Sequence, residues 1–126
     1  MTFKSVHQAA DDQYADIYTG AIVATGTRTG AIALDGRAPV RLLIPSTWAG
    51  TAAIVHVDVS DDGATYYPLW AAGTAYTVSV SAGKASVVDP TTFYGVGHIR
   101  LVGTTARGTA AAQSTAVTVG VVARLI

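Results

Sequence analysis

Cysteine is absent from the 126-residue chain. That excludes disulfides, thiolate zinc sites, iron–sulfur clusters and thiol nucleophiles, and it leaves the redox compartment unreadable. Glutamate is absent too: the eight acidic residues are all aspartate, and eight Lys and Arg balance them to a formal net charge of +0. Such neutrality argues against a protein whose task is to neutralise phosphates, so nucleic acid is not expected as a partner. Charged residues make up 13% of the chain and hydrophobic ones 50%, so much of the surface must be Thr, Ser, Ala and Gly. Long apolar runs are missing as well. The longest, such as Ala52 to Val55 and Val121 to Ala123, fall far short of the roughly eighteen residues a membrane span needs. Residues 1–5 lack the apolar core of a signal peptide, so synthesis and first folding are expected in a cytoplasm.

What is present points to one β domain. The length suits a single core. Residues 1–19 hold Asp11, Asp12 and Asp16 with a weak apolar stripe. They are expected to form an N-terminal arm, either a short helix capped by Ser5 or an extended segment. From Gly20 onward Val and Thr dominate, and turn residues recur every eight to twelve positions, the signature of a sandwich or barrel. Strands are expected at 20–24, 31–34, 40–44, 52–60, 65–69, 76–80, 85–88, 97–102 and 115–126, with a turn at Asp35-Gly36 after the second. The clearest is 52–60, where Ala53, Val55, Val57 and Val59 alternate with Ile54, His56, Asp58 and Ser60. Residues 76–80 and 85–88 read as a hairpin, and 103–114 as an exposed, mobile loop. The expected architecture is all-β: one antiparallel, jelly-roll-like β-sandwich of about eight or nine strands over residues 20–126, preceded by the arm.

Catalytic chemistry finds few candidates. A nucleophilic Ser or Thr needs a histidine oriented by a carboxylate. His7 falls in the arm, while His56 and His98 fall mid-strand on faces read as outward. Gly26-Thr27-Arg28-Thr29-Gly30 resembles a phosphate loop only in its glycines. Asp58, Asp61 and Asp62 are the residues from which a calcium site would have to be built, but the twelve-residue calcium loop is missing. Asp61-Asp62-Gly63 instead suits a tight turn, with Gly63 at positive φ and an Asp bonding the backbone. Neither metal nor cofactor is expected, and the chain does not read as an enzyme. The aromatic residues are few, yet Trp48, Tyr66, Tyr67 and Trp70 fall close together. They are the candidate interface or ligand residues, since exposed aromatics serve as sugar platforms or interface anchors. Trp48 and Trp70 have a second reading as core fillers, favoured for Trp70 after Leu69.

One succession of segments is distinctive. Pro45-Ser46-Thr47-Trp48 leads into the apolar strand Ala52 to Val59, then Ser60-Asp61-Asp62-Gly63, then Tyr66-Tyr67-Pro68-Leu69. Asp89-Pro90-Thr91-Thr92-Phe93-Tyr94-Gly95 follows, and after it His98-Ile99-Arg100-Leu101. This order, spanning about residues 40–126, resembles small structural proteins encoded among the head genes of tailed bacteriophages. The resemblance implies a β-sandwich subunit on the virion, either a capsid decoration (cement) protein or the base of a head fibre. The expected role is decoration: binding outside the head, stabilising contacts between major capsid subunits, and assembling as a homotrimer. Expected partners are therefore the major capsid protein and further copies of the chain, with surface glycans as a further possibility. The expected location is the capsid surface, after assembly in the host cytoplasm. The competing class is a carbohydrate-binding or head-fibre/tail adhesion module using Trp48, Tyr66 or Tyr67. A hydrolase fares worst.

Overall fold

The computed structural model of the protein describes residues 16–125. The expectations for a helix or arm and for His7 concern residues 1–15 and lie outside it. The described chain is all-β, with several antiparallel sheets, none of them closed. Its strands are β1 (Asp16–Ile22), β2 (Ile32–Ala33), β3 (Arg37–Leu43), β4 (Ile54–Ser60), β5 (Tyr67–Pro68), β6 (Trp70–Ala71), β7 (Thr74–Ala75), β8 (Thr77–Ser79), β9 (Ala85–Val87), β10 (His98–Thr104) and β11 (Val117–Leu125). A four-stranded sheet has the order β9-β3-β11-β1. A second sheet runs β2-β10-β4-β5, with β8 also on β4, and β6 pairs with β7 alone.

Alternation of apolar residues builds both large sheets. In β4, Val55 and Val57 point into the core, and Ile99 and Leu101 do the same from β10. From the other sheet β11 contributes Val117, Val119, Val121 and Ala123, with Leu42 from β3 and Ile22 from β1. All but Ala123 fall in one buried cluster with Leu34, Trp48 and Phe93. Each such side chain contributes roughly 1.5–3 kcal/mol of burial. The sheets approach so closely at Gly20 that a Cβ there would lie 2.7 Å from Ile32 Cδ1.

Several strand expectations are corrected. β1 opens at Asp16, not Gly20, because all seven of its residues are in register with β11; the boundary drawn at residue 19 therefore cuts a strand. β3 starts at Arg37 and contains the buried Pro39, tolerated because the β3–β11 register shifts at Val122/Ala123. The expected hairpin of 76–80 with 85–88 does not form. β8 joins β4 while β9 joins β3, so the turn at Gly83 carries the chain between sheets. The return strand expected at 65–69 is reduced to Tyr67–Pro68, and two more two-residue strands, Trp70–Ala71 and Thr74–Ala75, follow it. At the C-terminal end Leu125 leaves the buried face, being 42% exposed.

Segment 103–114 is not a free loop. Gly103 and Thr104 extend β10, and Gln113 is buried, its backbone exchanging bonds with Thr25 and Gly26. Only the tip, Ala106 to Ala110, is exposed throughout. An element without a signal in the expectations is the 3-10 helix Pro90–Phe93, capped by Asp89, whose Oδ1 accepts from the Thr91 amide at 3.0 Å.

Candidate functional site

The β4–β5 connection is built around one carboxylate. Asp62 Oδ1 accepts from the amides of Ala64 (2.8 Å) and Thr65 (2.9 Å) and from the Ser60 hydroxyl (2.9 Å). The Gly63 amide in turn donates to Ser60 Oγ at 2.9 Å, and Gly63 takes φ +77. The Thr65 and Ala64 amides, followed by the Ser60 hydroxyl, hold the Asp62 carboxyl down from 3.8 to about 2. Three donors on one oxygen favour the charged form.

Ser60, Asp62 and His98 gather at this end of the second sheet, since His98 pairs across the strands with Ser60 and its ring lies beside Gly63. They are not arranged as a nucleophile and base. The Ser60 hydroxyl gives its hydrogen to the carboxylate and is itself buried, so its role is to brace the turn. Among the described residues, no group of three metal-ligating side chains is assembled. A cleft of about 310 Å³ opens on the outer side of this turn, lined by Ser60, Asp61, Asp62, Thr65, Tyr67 and Val96 along with Val59.

The outward face of the same sheet carries a stack that the sequence reading did not single out. Arg100 bonds Asp58 at 3.1 Å, directly across the β4–β10 ladder, and its guanidinium carbon sits 4.0 Å from the centre of the Tyr66 ring. The signal was available: Asp58 and Arg100 both occupy outward positions of alternating strands. What sequence could not supply was the register. Tyr66 is thereby committed to the protein's own arginine, and its hydroxyl is buried without a hydrogen-bond partner. Next along the face, a 350 Å³ groove runs between Arg28, His56, Asp58 and Thr104.

The four aromatic candidates separate. Trp48 is only 4% exposed, with its Nε1 donating to the Ala52 carbonyl at 2.7 Å. It is a core residue and presents no face to a ligand. Trp70, expected in the core, is instead 62% exposed on the small β6–β7 ribbon, which is too short to cover it. Tyr67 is 66% exposed at the mouth of the cleft. Tyr67 and Trp70 are thus the two candidates open to solvent. No family model matches the sequence, and neither does any curated protein.

Proposed function

We propose that the protein is a structural subunit of a tailed-bacteriophage virion, a decoration protein bound outside the head where it stabilises contacts between major capsid subunits. On this reading the two larger sheets are the layers of a jelly-roll-like sandwich. The observation that carries it is the apolar side-chain surface left in solvent: Ile17, Val23, Val87 and Leu125 on or beside the four-stranded sheet, and Tyr67, Trp70 and Tyr94 elsewhere. Apolar groups spread over a weakly charged surface suit a subunit whose neighbours cover it. Repeated sites on a shell would add avidity to each modest contact. The order of segments from Pro45 to Leu101 supports the same reading.

Cosedimentation tests it. Purified protein is mixed with capsids assembled without it, and pelleting with the capsids together with a raised capsid melting temperature is expected. Failure to pellet at tens of micromolar protein would overturn the decoration role.

A second reading, a saccharide-binding adhesion module, is favoured by one feature: exposed Tyr67 beside a cleft holding Asp61 and Asp62. Aromatic faces stack on sugar C–H groups while carboxylates accept from hydroxyls. Retention on immobilised cell-surface polysaccharide, abolished by Tyr67→Ala, would favour this reading over decoration.

A further inference from the structure

Sheet edges present unpaired backbone groups, and folded proteins normally blunt them by shortness, proline, positive charge or bulges. Most edges here are blunted in these ways. β9 has three residues and is flanked by Lys84 and Pro90. β2 and β5 have two residues each, and β5 contains Pro68. β1 is different. It has seven residues, no proline, no lysine or arginine, and an unbroken register with β11. Its single charge, Asp16, is already paired with Arg37 at 3.1 Å.

The ladder determines which groups of β1 face outward. Ile44 N–H donates to Lys84, and Val88 N–H to Val40, so the even residues of β3 turn toward β9. Alternation then turns Arg41 and Leu43 toward Gly120 and Val122 of β11, leaving Val119 and Val121 to bond Gly20 and Tyr18. The amides and carbonyls of Ile17, Thr19 and Ala21 therefore point away from β11, to an edge that carries no further strand among the described residues, and all three residues are exposed. Among the described residues, no loop backbone bonds to them.

We propose that β1 pairs antiparallel with β1 of a second copy of this chain, joining two four-stranded sheets across a two-fold axis at Thr19. The partner is a second copy because β1 can complement itself. Thr19 meets Thr19, Ile17 meets Ala21, and Asp16 falls opposite Ile22, so no like charges oppose one another. All three outward-facing residues form hydrogen-bonded pairs. Head-to-tail pairing would need another open edge of similar length, and the remaining edges among the described residues have two or three residues, so the contact closes as a dimer. The net charge of +0 adds no repulsion between copies. The pairing does not depend on the virion role, and in free solution it replaces the homotrimer that the resemblance implied with a dimer.

Light scattering of the full chain at tens of micromolar should give twice the 12.9 kDa chain mass. In hydrogen exchange the Thr19 amide should be protected in the dimer and exchange freely on dilution. Thr19→Pro removes only an edge-facing N–H, which an edge strand tolerates, and should give a monomer. Should that variant fail to fold, Ile17→Lys, at a position 65% exposed, makes the same test. Val87→Lys, on the opposite edge, should leave the dimer intact. A monomer, a trimer, or a dimer indifferent to both β1 variants would overturn the pairing. None of these outcomes alters what capsid cosedimentation reads.

Discussion

Asp62 shows how much one exposed side chain can organise. Its carboxyl is held below its ordinary value, so the charged form favours the folded state. That contribution is present above about pH 4 and lost as pH falls toward 2. Thermal melting of the wild type should fall more steeply across that window than melting of Asp62→Asn, which keeps the acceptor but not the charge. Excess calcium should shift neither curve, because Oδ1 is spent on the turn and no group of three metal-ligating side chains gathers around it among the described residues. Gly63 is coupled to the same turn. Alanine there must adopt φ +77 and place its Cβ 3.1 Å from His98 Nε2. Denaturant unfolding should show a loss of about 1–2 kcal/mol. At Trp48 the indole N–H is the reason for tryptophan. Trp48→Phe strands the Ala52 carbonyl and should cost about 1–3 kcal/mol by the same measurement.

Among the elements, β4 and β10 were the most legible in the sequence, since one face is buried and period two follows directly. The Asp35-Gly36 turn was legible for a similar reason: both residues take positive φ, which that dipeptide tolerates. The partner of β8 was not. Ser81 to Lys84 is a turn in sequence and in structure, but local residues do not record that the strands on either side serve different sheets. Trp70 and Trp48 were confused because burial depends on what covers a residue, and the β6–β7 ribbon covers almost nothing. At the candidate site the turn residues could be read locally, whereas the Asp58–Arg100–Tyr66 stack waited on register. Contact between the sheets adds an element-scale prediction. Gly20→Ala must displace Ile32 and Thr29 and should destabilise by about 1–3 kcal/mol in urea titration, as overpacking does.

For the molecule as a whole, β11 is the keystone. It lies between β3 and β1 and supplies five buried side chains, Val117, Val119, Val121, Val122 and Ala123. A chain ending at residue 116 should therefore show no cooperative melting by circular dichroism. Its pairing with β1 joins residues at opposite ends of the described chain, and topologies dominated by such distant pairs fold slowly, on the order of milliseconds to seconds. The same pairing has a mechanical side. Asp16 stands opposite Ala123, so both ends of the described chain leave from one end of the same ladder. A pull applied between Asp16 and Leu125 would load the β1–β11 rungs singly and in succession, like a zipper, rather than all together in shear. The fold would open under modest tension through its ends, whereas the same tension carried across the sheet would be shared by every rung.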